Sequence, residues 1–278
     1  FDSNGKLRSR PQNEKLYFTE GLTFAKAGTK GASFRYLPPN NIFESGSPTI
    51  FSSTFSNLYY TSAFLNSSLA FYILDCLNPT VSTQVGDVER LPFVRPNNSI
   101  ELNLSKLANK NIEIKKHLCS YRIYELNFDK NPLLAFTQSS LQEKVLAYLN
   151  YENSQLAFVL LNEAIINQLI FEVYELSPED RQQVEAKMGK PVGELPVLAE
   201  AREAFLDSGF GNADLGFVDE FIRELPVADF EESEIRAITD EFPNLYKSNN
   251  DLEEFCIRHQ VNPINVWYWF KNSNVVPK

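Results

Sequence analysis

The feature that most constrains this chain is residues 139–176, which contain neither proline nor glycine. Within it, large apolar residues recur mostly at three- and four-residue steps, the period of one face of an α-helix; they are Leu141, Val145, Tyr148, Leu156, Val159, Ile166, Ile170 and Val173. The pattern predicts one long amphipathic helix or two nearly continuous ones. At about 1.5 Å per residue such a helix exceeds the width of a small domain, so it must also pack on a partner helix, another domain or another subunit.

Residues 17–55 have a different character. Aromatic and β-branched residues at 22–24, 33–37 and 49–51 are typical of short, half-buried strands. The loops between them are rich in Gly, Pro, Asn and Ser, which favour turns. We therefore predict an α+β fold with three parts: a small mixed β-sheet domain over 1–135, a long helical scaffold over 136–206, and an acidic helical C-terminal segment over 207–278.

The remaining patterns predict further elements around these. Residues 57–77 are apolar on most sides, which indicates a buried helix ended by Asn78-Pro79. Residues 80–93 resemble two short strands joined by a Gly86-Asp87 turn, and residues 97–117 favour a strand and a helix. Ser177-Pro178 is typical of a helix start, with the helix ending at Gly189. Residues 207–216 resemble a linker, and residues 251–270 two helices joined by a turn.

Composition places the chain among ordinary globular proteins, with a formal net charge of −10. The charge is unevenly distributed, because residues 1–130 carry 15 Lys and Arg against 11 Asp and Glu, whereas residues 131–278 carry 11 against 25. No apolar run approaches the roughly 18 residues that a membrane span needs, and the N-terminus does not resemble a signal peptide. We therefore expect a cytoplasmic protein, and the start at Phe1 suggests a fragment or a processed product.

The sequence contains no motif for self-contained enzyme chemistry. There is no phosphate-binding or dinucleotide-binding glycine loop, no zincin pattern and no nucleophile elbow. His117 with Cys119, and Cys256 with His259, would supply four zinc ligands, but they lack the usual knuckle spacing. Two ordinary histidines with inert thiols are the simpler interpretation.

One group of residues does point to binding. Basic and hydroxyl-bearing side chains cluster among the first strands and are interleaved with Gly28 and Gly31; they are Lys26, Thr29, Lys30, Ser33, Arg35 and Tyr36. Such residues bind phosphate oxygens, and arginine also reads guanine edges in a bidentate manner. The cluster predicts a nucleic-acid surface, with a polar loop carrying solvated lysines as the alternative.

The order of motifs in residues 15–95 resembles the C-terminal target-recognition region of BREX-type PglX adenine-specific DNA methyltransferases, relatives of the TaqI-type and type IIG modification enzymes. The resemblance rests on four motifs: Gly21-Leu22-Thr23-Phe24; Ser33 with Arg35-Tyr36; Phe64-Leu65-Asn66-Ser67; and Asn78-Pro79-Thr80, followed by Gln84-Val85-Gly86-Asp87 and Leu91-Pro92. Residues 141–198 match that pattern more loosely, and residues after 206 lie outside it.

This resemblance implies that the parent protein methylates adenine N6 with S-adenosylmethionine in phage defence. The family's Asn-Pro-Pro-Tyr motif and cofactor segment do not occur in this sequence. The small sheet domain would then be a target-recognition domain for double-stranded DNA, and the cofactor and the catalytic domain would belong to the rest of the parent. Whether this chain is itself an enzyme is left open.

A second hypothesis is a protein-interaction scaffold. Its acidic half would dock other proteins of a defence complex, since an acidic surface repels DNA and suits a basic protein. Residues 267–270, which are Trp, Tyr, Trp and Phe, would form an exposed apolar face for this purpose. The alternative for these aromatic residues is a helix packed in a core.

Overall fold

The computed structural model describes residues 13–27, 32–52, 55–209, 215–245 and 251–273, with backbone only for 55–57. It is 62% helical with one small sheet, which confirms the α+β class. The strands are β1 (Gly21–Phe24), β2 (Phe34–Leu37) and β3 (Thr49–Ile50). The helices are α1 (Phe55–Leu65), α2 (Ser68–Leu77), α3 (Val85–Glu89), α4 (Asn98–Cys119), α5 (Leu141–Val173), α6 (Pro178–Met188), α7 (Ala199–Asp207), α8 (Gly216–Glu224), α9 (Glu232–Thr239), α10 (Phe242–Leu245), α11 (Leu252–His259) and α12 (Pro263–Ser273).

The sheet has the strand order β2-β1-β3, and both described pairings are antiparallel instead of the mixed arrangement predicted. Its inner face is apolar, because Leu22, Phe24 and Phe34 are buried. That face packs on α1, which in turn lies along α4. The predicted strand positions are confirmed, and β3 is shorter than the pattern indicated.

Helix α5 confirms the long-helix prediction as a single element of 33 residues. It begins with a capping box, in which the Ser140 side chain accepts from the Glu143 N–H and the Glu143 carboxylate accepts from the Ser140 N–H. Helix α4 packs on one part of α5, while α12 and a short 3-10 turn (Val192–Glu194) pack on another. The helix therefore connects the sheet side to the C-terminal helices through one buried core, and the predicted domain boundaries stay predictions.

Among the described residues, α5 is also the one helix long and apolar enough to cross a membrane, and 67% of its most apolar window is buried inside the protein. Close packing explains this composition, since a helix apolar all round is typical of a protein core. At Gly193, for example, an added Cβ would lie 2.7 Å from the Leu160 carbonyl oxygen of α5.

The prediction of a single helix over residues 57–77 is wrong, since α1 and α2 are separate. Ser67 causes the break: its hydroxyl accepts from the Ala70 N–H as the N-cap of α2 and donates to the Phe64 carbonyl. Asn66, at the same break, donates to the Phe34 carbonyl at 3.0 Å and accepts from the Phe34 N–H at 3.1 Å. The side chain of Asn66 thus pairs with β2 as a neighbouring strand would.

The prediction of a hairpin over residues 80–93 is also wrong, because Val85–Glu89 forms the helix α3. The Asp87 carboxylate accepts from the Asn78 side-chain amide at 2.7 Å and from the Gln84 N–H at 2.9 Å. These bonds hold the pKa of Asp87 below its usual range, the Asn78 contact being the main cause. The same segment holds the end of β1, since the Thr83 N–H donates to the Lys26 carbonyl at 2.8 Å.

Residues 97–117 form the single helix α4 instead of a strand and a helix, with Asn97 as its N-cap. Three later predictions are confirmed: Ser177 caps α6, Gly189 ends it with φ 85°, and α11 and α12 flank a turn. The apolar face predicted for residues 267–270 is not exposed. Trp267, Trp269 and Phe270 are buried, with Trp267 against Phe205 and Trp269 against Phe230.

Candidate nucleic-acid interface

The outer face of the sheet carries a row of polar side chains. Opposite Thr23, at the centre of β1, lie Arg35 on β2 and Thr49 on β3. Alternation along a strand puts Arg35 on the opposite face from buried Phe34. The hydroxyls of Thr23 and Thr49 donate to the Ser47 carbonyl at 3.3 and 3.4 Å. The exposed guanidinium is therefore the group of this row that can bind phosphate or base edges. Thr23 and Thr49 were not selected from the sequence, because only strand register brings them beside Arg35.

Arg35 itself is exposed, and its Nε donates to the Ser33 hydroxyl at 3.1 Å. It forms no ion pair with a described carboxylate, so its charge is free to meet an anion. The backbone between these two residues is held on both sides of Phe34 by Asn66. Asn66 therefore positions the segment that carries Ser33 and Arg35, which gives a physical role to one of the family-like motifs.

Tyr36 lies on the other side of β2. Its hydroxyl donates to the Glu20 carboxylate at 2.9 Å, and its ring stacks on Tyr59 at 6.4 Å between centroids. Burial, followed by the bond to Glu20, raises the pKa of Tyr36 to about 12. The structure therefore separates Tyr36 from Arg35, although they are neighbours in sequence, and gives Tyr36 packing contacts.

The other predicted residues are dispersed. Lys26 is partly buried, and its backbone is tied on both sides: its N–H donates to the Gly46 carbonyl and its carbonyl accepts from Thr83. Thr29 and Lys30 lie outside the described residues. Of the six predicted residues, the structure brings Ser33 and Arg35 into direct contact.

The fold adds one basic residue that sequence reasoning missed. Lys116, near the end of α4, places its Nζ 5.2 Å from the ring centroid of Tyr36. Cations over an aromatic face are attracted to it by about 0.5–1 kcal/mol at exposed sites. No sequence signal connects the two positions, because the contact depends on α4 packing along α1.

The cations of the two halves differ in how they are paired. Most described Lys and Arg residues of the acidic half form ion pairs with carboxylates: Arg181, Lys187, Lys190, Arg202, Arg236 and Arg258. On the sheet and on α4, six cations make no ion pair with a described carboxylate: Lys26, Arg35, Lys106, Lys110, Lys115 and Lys116. The positive charge available to an external anion is therefore concentrated around the sheet and α4.

The described residues contain no group of three or more His, Cys, Asp or Glu that would hold a metal ion. His117 contacts the hydroxyl of Tyr121 at 3.1 Å, and His259 contacts Glu241 at 3.3 Å. Cys256 is buried, and burial raises the pKa of its thiol. The zinc arrangement considered from the sequence is not formed.

A cavity of about 370 Å³ lies between β3, α1 and α3. Most of its lining is apolar, and Thr49, Thr61 and Glu89 supply the polar groups. It lacks the several converging polar groups that are typical of a catalytic pocket. We therefore assign no chemistry to it.

Comparison with known proteins supports a relation to adenine-specific methyltransferases. The chain is 28% identical over 182 residues, 65% of its length, to the adenine-specific methyltransferase BrxX of Escherichia coli O9:H4 (strain HS). It is 30% identical over 107 residues, 38% of its length, to the adenine-specific methyltransferase PglX of Lacticaseibacillus casei (strain Zhang). The chain is related to the BREX adenine-specific methyltransferases. The matched regions make up 15% and 9% of those two relatives, and no protein-family model matches the chain.

Proposed function

We propose that this chain is the DNA target-recognition module of an adenine-N6 DNA methyltransferase that acts in bacterial phage defence. The observation that carries the proposal is the exposed Arg35 on the outer face of the sheet, which makes no ion pair with a carboxylate of the described residues, in a chain related to adenine-specific methyltransferases. The Ser33 hydroxyl accepts from Arg35. Thr23 and then Thr49 continue the polar row across the sheet, with their hydroxyls donating to the Ser47 carbonyl. Arginine is the commonest residue to read guanine, and hydroxyls bind phosphates and bases.

In this proposal the module selects the DNA site, and the parent's catalytic domain performs the methyl transfer with S-adenosylmethionine. Such enzymes take the target base out of the helix stack, so recognition and catalysis use separate surfaces. The enzyme would act on bacterial DNA in the cytoplasm. Sequencing of methylated DNA from cells that carry the intact parent protein would identify the site that is read.

The DNA-binding part of the proposal is tested by fluorescence anisotropy of this chain on labelled duplex DNA at low salt. We expect weak binding that falls as salt rises, because phosphate contacts release counterions. Arg35→Ala should weaken binding about tenfold, since a good arginine contact is worth roughly 1–3 kcal/mol. Arg236→Ala, which removes an exposed cation of the acidic half, is the matched control. Affinity indifferent to salt and to Arg35→Ala would contradict the proposal.

A protein-docking function is a second candidate, favoured by the loop between α4 and α5. We name residues 121–141, which include the first residue of α5, the apolar loop, because five of its large apolar side chains are 70–86% exposed; they are Ile123, Tyr124, Leu126, Leu134 and Leu141. The loop packs on α5, because Tyr121 contacts Tyr148, and Phe136 contacts Tyr148 and Tyr151. Exposed apolar patches on an ordered surface are typical of protein interfaces.

The docking candidate is tested with Ile123→Asp combined with Leu126→Asp. Binding to the remaining part of the parent polypeptide, supplied in trans and measured by calorimetry, should weaken at least about tenfold, because charges are excluded from an apolar contact. Ile257→Asp changes an apolar residue that is 50% exposed on α11 and serves as the control. Equal affinity of the loop variant and the control would rule out this surface. The predicted docking through the acidic half stays a prediction.

A further inference from the structure

Helix α4 presents a basic face to solvent. Lys106 and Lys116 are exposed and Lys110 is partly exposed, and their spacing places them on one side of a helix with 3.6 residues per turn. The opposite side is apolar and packs in the core through Leu104, Leu107, Ala108, Ile114 and Leu118. The orientation of α4 is therefore determined by its buried side, which leaves the lysines outward.

This face continues from the candidate interface on the sheet. Lys116 lies beside Tyr36, and Tyr36 directly follows Arg35 on β2. Because β2 is an edge strand of the sheet, Arg35 and Lys116 flank that edge from its two sides. A ligand that follows the edge of the sheet would meet the α4 face next.

The charge and length of the face suit a polyanion. Glu113 is the carboxylate that shares this side of α4, and it accepts a hydrogen bond from the Asn109 amide at 3.0 Å instead of pairing with a lysine. Ten residues separate Lys106 from Lys116, which is about 15 Å along the helix. One strand of DNA carries about four phosphates over that distance. Lysine carries a compact ammonium group on a flexible side chain, which suits contact with phosphates better than recognition of bases.

We propose that the exposed face of α4 is a second DNA-contacting surface, which holds the phosphate backbone beside the sheet edge and fixes the register of the duplex. This inference rests on the proposed function and assigns α4 a role that does not depend on base sequence. The sheet face would then provide sequence choice, whereas Lys106, Lys110 and Lys116 would provide affinity.

The test is the triple substitution Lys106→Ala, Lys110→Ala and Lys116→Ala, measured by anisotropy on several unrelated 25-base-pair duplexes. We expect binding to weaken roughly thirtyfold on every duplex and the salt slope to fall by about two to three, since each lost phosphate contact removes about one counterion. The control is Lys144→Ala, Lys190→Ala and Lys271→Ala, which changes the net charge equally away from α4. Thermal unfolding of both variants shows whether each is folded.

A second variant makes the charge of the same α4 face more positive. Glu113→Gln removes its carboxylate, and binding should tighten about two- to fivefold at low salt by relief of repulsion. The inference about α4 is wrong if the α4 triple variant and the control triple variant weaken DNA binding equally and Glu113→Gln has no effect. If Arg35→Ala still weakens binding in that case, the proposed function stands. A wild-type chain that binds no duplex overturns the proposed function as well.

Discussion

Asn262→Ala is expected to lower the free energy of unfolding by about 3–4 kcal/mol. Asn262 is completely buried, and its side-chain amide donates to the carbonyls of Gly193 at 3.2 Å and Leu195 at 2.7 Å. Its side-chain oxygen accepts from the Ile264 N–H at 2.9 Å. Alanine would leave these three backbone groups without this partner, and a buried group left unsatisfied costs about 1–3 kcal/mol.

The effect should extend beyond the local hydrogen bonds, because Asn262 connects the start of α12 to the 3-10 turn that packs on α5. Asn265 supports the same junction, with bonds to the Leu198 N–H and the Pro196 carbonyl. Urea unfolding followed by tryptophan fluorescence is a suitable measurement, since Trp267 and Trp269 lie on α12 and are buried.

Asn98→Ala is the control for Asn262→Ala, because Asn98 is an exposed residue in the first turn of α4, and we expect a change within about 0.5 kcal/mol. Asn262→Asp should destabilise at least as much as alanine, since a carboxylate would face two carbonyl oxygens. Unfolding midpoints that agree among wild type, Asn262→Ala and Asn98→Ala would show that the junction does not stabilise the fold.

The second large effect concerns pH. Burial raises the pKa of Glu163 on α5 to about 7, and repulsion from Glu253 and Asp251 at the start of α11 adds to the shift, while Lys115 on α4 opposes it. The folded chain thus keeps a proton that the unfolded chain loses above its ordinary pKa of 4.5. The contribution of protonated Glu163 to the free energy of unfolding is therefore fully present below pH 4.5 and is lost as the pH rises through about 7.

Glu163→Gln should remove the loss of stability that wild type shows as the pH rises. At pH 8 we expect the variant to be more stable than wild type by about 2–3 kcal/mol, because each pKa unit corresponds to about 1.4 kcal/mol, whereas near pH 4 the two should agree. Urea unfolding at a series of pH values measures the difference. Glu220→Gln, at an exposed position on α8, is the control and should stay within about 0.5 kcal/mol of wild type throughout. A constant difference between Glu163→Gln and wild type across this range would contradict the assignment.

Elements with local signals were predictable from the sequence. The apolar period predicted α5, and Ser177 marked the start of α6, because such a cap needs only a side chain and an N–H three residues away. Residues 80–93 were mispredicted because Asp87 bonds to Asn78 across a turn, a contact that strand propensity does not express. The aromatic residues at 267–270 were ambiguous, since apolar content alone does not distinguish an exposed face from a core.

For the candidate site, the sequence identified Arg35 and Ser33 and the charge difference between the two halves. It also carried motifs that resemble those of BREX methyltransferases, and the comparisons support a relation of this chain to those enzymes. The sequence also predicted that Tyr36 contacts DNA, whereas strand alternation turns that side chain toward Glu20 and Tyr59.

Composition, helical period and capping residues determined the α+β class, the long helix and the basic character of the first half, because these depend on neighbouring residues. Tertiary structure decided which face of the sheet is exposed, that Asn66 holds β2, and that Lys116 of α4 lies over the ring of Tyr36. Those relations join residues from distant parts of the chain, and packing of apolar faces against one another creates them.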